Sequence, residues 1–146
     1  MQIEALIAAL QDACPAGTFE AQTLPLDETV LAVPADCLPE AVAILTDRFD
    51  VHHLSTITGQ ETESGIELLY HFWPGHGLTF RVLLSDKDPV IASVTGRIPG
   101  AGFYEREVAE MLGVTFEGHP DPRPLFLPED WEAGPPLRKE TERTDG

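Results

Sequence analysis

Ile66-Glu67-Leu68-Leu69-Tyr70-His71-Phe72-Trp73-Pro74-Gly75-His76-Gly77-Leu78-Thr79-Phe80-Arg81-Val82-Leu83-Leu84 is the stretch that decides the fold class. Ile66, Leu68, Tyr70 and Phe72 alternate to one side, as do Leu78, Phe80, Val82 and Leu84. A period of two places each set on one face of a strand. Pro74-Gly75-His76-Gly77 supplies the turn between them. Working outward, Val51–Thr58 and Val90–Thr95 read as further strands, and the polar stretch Gly59–Gly65 reads as a turn. Ile3, Leu6, Ile7 and Leu10 mark an opening amphipathic helix broken at Pro15 and Gly17. Thr18–Leu24 and Thr29–Val33 form a hairpin-like pair across Pro25–Glu28. Asp36 is expected to cap a second helix, with Pro39 tolerated in its first turn. Leu38, Val42, Leu45 and Phe49 give that helix its buried stripe.

The expected architecture is therefore α+β: a two-layer domain, with helices packed on one face of a mixed, mostly antiparallel sheet. Residues 1–116 are assigned to this globular domain and residues 117–146 to an extended Pro-rich C-terminal arm, which holds six of the 13 prolines. At 146 residues the chain is long enough for one core. No run of about 18 apolar residues is present, so no helical span is expected. Met1–Leu10 has no basic n-region and includes Glu4, which leaves the cytoplasm as the expected compartment.

Nine basic and 25 acidic residues give a net charge of −16. A chain so acidic repels nucleic acid and anionic lipid. The arm holds four of the nine cations. Cys14 and Cys37 show no Cys-x-x-Cys spacing and no iron–sulfur or zinc ligand set, and both are expected to pack as small apolar groups, their disulfide state left open. Of five histidines, His52 and His53 are adjacent and point to opposite sides. His71 and His76 flank a turn without converging carboxylates.

The second informative stretch runs from Phe103 to Pro124. Tyr104, Val108, Met111 and Leu112 recur at helical spacing, and Gly113 sits where a helix stops. The turn Pro99-Gly100-Ala101-Gly102 admits the chain into this helix. Glu105 and Glu107 read as an exposed rim, with Arg106 and Glu110 spaced to pair. After Phe116 the chain becomes Glu117-Gly118-His119-Pro120-Asp121-Pro122-Arg123-Pro124. Alternating prolines forbid both helix and central strand, so this segment must lie extended on a surface. Further along, Leu125, Phe126, Leu127 and Trp131 are large apolar groups that need cover, from the domain itself or from a partner.

These residues carry a resemblance. Tyr104-Glu105-Arg106-Glu107, Phe116-Glu117-Gly118-His119-Pro120-Asp121, Leu125-Phe126-Leu127-Pro128-Glu129-Asp130-Trp131 and Pro136-Leu137-Arg138-Lys139 match, in order and spacing, the 30 kDa subunit family of respiratory complex I, NADH:quinone oxidoreductase, and related energy-converting nickel–iron hydrogenase subunits. Departures are Pro122 and Pro124 around Arg123, Phe103 where Trp is common, and Glu110 in place of Asp. The resemblance implies a non-catalytic structural subunit of the peripheral arm of a membrane-bound NADH:quinone oxidoreductase. Such a subunit docks on the large 49 kDa-type subunit and neighbouring peripheral-arm subunits, with no cofactor on this chain and only indirect contact with the membrane, on the cytoplasmic side of the inner membrane. It also makes Glu105, Arg106, Glu107, His119, Asp121, Arg123, Phe126, Trp131 and Arg138 candidate interface residues, with Arg106 as a fork between two carboxylates. The equivalent hydrogenase subunit is the nearest alternative. A stand-alone metal-dependent enzyme using the His71/His76 region is the alternative of another class, and it predicts bound metal and activity without partners.

Overall fold

In the computed structural model, the described residues are 2–121, 123, 127 and 133–138. Among them the chain runs α1 (Ile3–Ala13), β1 (Ala21–Leu24), β2 (Glu28–Ala32), α2 (Leu38–Arg48), β3 (Leu54–Thr62), β4 (Gly65–Phe72), β5 (Leu78–Leu84), β6 (Val90–Ala92), α3 (Ala101–Leu112) and β7 (Thr115–Glu117). β1 to β5 form one sheet in the order β1-β2-β5-β4-β3. β2 lies parallel to β5 and the other pairings are antiparallel, so the sheet is mixed as expected. β6 and β7 pair in parallel as a separate two-stranded sheet.

The two alternating rows on β4 and β5 face the core, where they meet Leu6 and Leu10 of α1, Leu38, Val42 and Leu45 of α2, and Val108 and Leu112 of α3. Phe72 and Phe80 stack edge to face, with ring centroids 5.1 Å apart, at the centre of that layer. The opposite face, with half-buried Glu67, Leu69 and His71 and exposed Arg81 and Leu83, has no helix over it among the described residues. Helices on one face of a mixed sheet are thus what the alternation implied.

Several local expectations are revised. Gly59–Gly65 is not a turn: β3 continues to Thr62 and pairs residue by residue with β4, leaving Glu63 and Ser64 to reverse the chain. β3 is an edge strand, and its outward row of Thr58, Gln60 and Thr62 is polar because it faces water. The first strand of this pair begins at Leu54, after His52 and His53, and β6 ends at Ala92. Asp36 does not cap α2. It lies in a 3₁₀ turn, Ala35–Cys37, whose own i→i+3 bond, Leu38 N–H to Ala35 C=O, leads directly into the helix. Cys14 and Cys37 form a disulfide that ties the end of α1 to the start of α2. Closing 23 residues contributes about 3 kcal/mol on a chain-entropy account.

Two glycines set how closely elements approach. At Gly59 an added Cβ would lie 2.6 Å from the Leu112 side chain, so its absence lets α3 settle against edge strand β3. Gly65 has φ +140°, and a Cβ there would lie 2.2 Å from the Leu84 carbonyl oxygen. Gly65→Ala should therefore lower stability by about 2–3 kcal/mol. Urea denaturation of the two proteins checks this, and an unchanged midpoint would count against the close approach of Gly65 to Leu84 at the end of the β4–β5 pair.

Candidate functional site: α3 and the returning arm

α3 begins as expected, with Ala101 and Gly102 N–H groups bonded to Ile98 and Pro99 carbonyls. It ends at Gly113, whose φ of +76° and N–H bond to Ala109 C=O close the helix. Its rotation differs from the expected one. The buried stripe is Ala101, Glu105, Val108 and Leu112, while Tyr104 and Met111 are only partly covered.

Glu105 is not on an exposed rim; it has no exposed surface. Its Oε1 accepts from the Ser93 hydroxyl at 2.7 Å and its Oε2 from the Val94 N–H at 2.8 Å. Since Ser93 donates its one proton to Glu105, the Thr95 hydroxyl donates in turn to Ser93 Oγ at 2.8 Å. Burial pushes the Glu105 pKa above the usual carboxylate range, while the Val94 and Ser93 bonds and then His119 pull it down. Close by, the buried Tyr70 hydroxyl makes no hydrogen bond among the described residues. Burial first, and the Glu105 charge second, raise its pKa.

His119 stands 3.8 Å from Glu105. Its Nδ1 accepts from the Asp121 N–H at 2.9 Å, which leaves the proton on Nε2, donated to the Gly102 carbonyl at 2.9 Å. Asp121 holds Arg123 in a bidentate pair, Nε to Oδ1 at 2.7 Å and Nη2 to Oδ2 at 2.9 Å. These bonds, and secondarily the Arg106 charge, keep the Asp121 pKa well below the usual range. Arg106 Nε donates to the Arg123 carbonyl at 3.1 Å, with Nη1 3.8 Å from Asp121. Glu110 accepts from the Leu127 N–H at 2.6 Å. Gly102, Arg106 and Glu110 are four residues apart, one stripe of the helix, and they meet residues 119, 123 and 127 in the same order. The arm runs along α3.

It is also held near its far end. Leu137 N–H bonds the Met111 carbonyl at 2.8 Å. Arg138 reaches Glu61 Oε2 with Nε at 2.6 Å, the Leu112 carbonyl with Nη1 at 3.3 Å and the Asp86 carbonyl with Nη2 at 2.9 Å. The Glu61 and Arg138 side chains are 5% and 14% exposed, so this is a nearly dry pair.

The expected site residues thus divide. Arg106, His119, Asp121 and Arg123 come together, and Arg138 joins the same helix at its other end. The three side chains expected to make one fork diverge: Glu105 turns to the core, Arg106 to the arm, and Glu107 to a groove beside β3. Phe126 and Trp131 lie outside the described residues. Glu61, Glu110 and Ser93 were missed as partners. Glu61 had a signal, because a strand continued through Gly59 places it on the inward row with Ile57. No group of three or more His, Cys, Asp or Glu side chains able to hold a metal occurs among the described residues. Both His71 ring nitrogens face threonine hydroxyls, Thr58 and Thr79, each at 3.1 Å. The metal-enzyme alternative finds no ligand set there.

Over residues 31–145 the sequence matches the family described as respiratory-chain NADH dehydrogenase, 30 Kd subunit. The chain belongs to that family. It is 32% identical over 142 residues to the C subunit of NADH-quinone oxidoreductase from Roseiflexus castenholzii, covering 92% of this chain and 81% of that one. It is 35% identical over 99 residues to the C/D subunit of NADH-quinone oxidoreductase from Yersinia pestis bv. Antiqua, covering 63% of this chain but 16% of that one. A trypsin-resistant fragment of Nqo5 shares the fold, with a TM-score of 0.71 at 22% identity, covering 83% of this chain and 99% of that one.

The helix contacts of this complex I family member generate two predictions. A raised folded-state pKa means the folded chain binds the Glu105 proton more tightly than the unfolded chain. Stability from this group is then full below the unfolded value and is lost as pH rises from there through the folded value. Relative to Glu105→Gln, the wild-type chain should therefore lose stability as pH rises across that window in urea titrations; a parallel pH course for the two proteins would refute it. Separately, Arg138→Gln should speed hydrogen exchange of the Leu137 amide by about tenfold or more, while core β4 amides stay protected. Unchanged exchange at Leu137 would mean Arg138 does not hold this segment.

Proposed function

We propose that this chain is a non-catalytic, cofactor-free structural subunit in the peripheral arm of a membrane-bound NADH:quinone oxidoreductase, docking on the large 49 kDa-type subunit through its C-terminal arm. The observation that carries this is the arm itself: a Pro-rich strap bonded to α3 at residues 119, 123 and 127. Positions held in this way have already lost part of their conformational entropy, which favours association with a fixed neighbour. A relative named as a C/D subunit supports a permanent neighbour. Taking the D half as the large subunit, a fusion is workable where the two chains sit side by side.

Among the described residues no helix is long and apolar enough to cross a membrane. Attachment to the cytoplasmic side of the inner membrane would then come through the partners. Arg106, His119, Asp121 and Arg123 act in this reading as the residues that shape the strap, with Phe126 and Trp131 as anchors of the proposed contact. The relatives named above carry the NADH-quinone oxidoreductase name, which favours complex I over the hydrogenase branch.

Tagged chain recovered from native membranes should bring down the large subunit and its peripheral-arm neighbours, identified by mass. Arg106→Ala should reduce that recovery by several-fold while leaving the five-stranded sheet folded. Recovery of the chain always alone, turnover of a small substrate by the purified chain, or a nickel–iron subunit among the companions would each overturn the reading.

A further inference from the structure

α3 faces three ways. Ala101, Glu105, Val108 and Leu112 are buried, and Gly102, Arg106 and Glu110 carry the returning arm. A third stripe, Phe103, Glu107 and Met111, is again four residues apart. Phe103 keeps 52% of its surface exposed. Beside this stripe Arg138 and the Leu137 main chain hold the tail down, yet the Leu137 side chain remains 58% exposed. Between Leu137 and the α3–β3 wall lies an open notch of about 200 Å³, lined by Ile57, Val108, Met111, Leu112 and Leu137, with Glu107 as its one charged side chain among the described residues.

We propose that this notch, completed by the Arg138 clasp, receives a segment of the neighbouring subunit that carries a basic side chain flanked by apolar ones. This rests on the docking function proposed above and adds to it a second surface, separate from the strap. The volume falls below the roughly 300–1,000 Å³ usual for small-molecule pockets, so it suits inserted side chains. Glu107 makes no hydrogen bond or ion pair among the described residues, and covering it with apolar groups alone would strand a carboxylate. A cation meets that need and suits a chain of net charge −16. A second copy of this chain is disfavoured for the same reason, because it would bring acid against acid. The apolar wall supplies the contact area, and Glu107 supplies orientation.

The experiment uses the assembled complex. A photo-crosslinking side chain in place of Leu137 should join this chain to a neighbouring-subunit peptide that holds Lys or Arg between apolar residues. Glu107→Lys should lower recovery of that neighbour by about tenfold or more, whereas Glu20→Lys, the same charge change at an exposed site before β1, should not. Thermal melting of the purified chains checks folding, and if Glu107→Lys does not fold, Leu137→Ser gives the same measurement from an exposed position. If wild type recovers its neighbours but the folded notch variant recovers them equally, the notch is refuted and docking stands. A crosslink only within the chain or to a second copy refutes the notch as well. If wild type itself comes out alone, docking fails and the notch falls with it.

Discussion

The rotation of α3 about its own axis is set by a carboxylate with no exposed surface. Glu105 takes the Ser93 hydroxyl and the Val94 N–H on its two oxygens, and a buried carboxylate left without such donors would be costly. Turning the helix by one residue, about 100°, would break both bonds and bury Tyr104 or Arg106 instead. With Glu105 fixed inward, Gly102, Arg106 and Glu110 must face the arm, and Phe103, Glu107 and Met111 must face outward. Gly59 fixes the remaining freedom, the distance between helix and sheet, by leaving room for Leu112. One hydrogen-bonded acid and one missing methyl group therefore position the contacts that α3 makes with residues 119, 123 and 127.

This is also where sequence reading reached its limit. The rows on β4 and β5 were legible because every second residue is apolar, and nothing else in the chain competes with that signal. The helix was legible as a helix, yet its rotation was not. Periodicity assigns acids to water, and Tyr104 with Met111 completed an acceptable apolar stripe without Glu105. Only the donors at Ser93 and Val94, ten or so residues upstream, make burial of Glu105 affordable. The reach of β3 was hidden for a related reason. An edge strand needs apolar residues on one side only, and on that side it has Gly59 and Glu61, which look like loop residues. Burial of Glu61 makes sense only with Arg138, 77 positions away, and no local pattern carries that information.

The Glu61–Arg138 pair is better understood as a device of register than as a source of stability. Desolvating two charges offsets most of their attraction, so an apolar pair of similar size would hold the tail about as well. An apolar pair would also tolerate slipping. The guanidinium contacts a carboxylate and two separate main-chain carbonyls, Leu112 and Asp86, and that geometry is met at a single tail position. Pro135 against Gly113 narrows it further, since even a methyl group at Gly113 would lie 2.9 Å from the proline ring. The clasp therefore determines where along α3 the tail stops.

Anchoring at both ends changes what the arm is. A free 30-residue tail would have to lose its conformational entropy at the moment of association, at roughly 1–2 kcal/mol per backbone residue fixed. Here residues 119, 123, 127, 137 and 138 are already bonded to the helix, so at these positions that cost is met within the chain. In the docking proposed above, the fit of these anchored positions then counts for more than folding upon contact. For a subunit that the proposed function assigns to bracing a larger neighbour, a rigid presenting surface has a further consequence: an error in the rotation of α3 would displace the strap and the notch together, which ties the buried Glu105 to docking without its touching any partner.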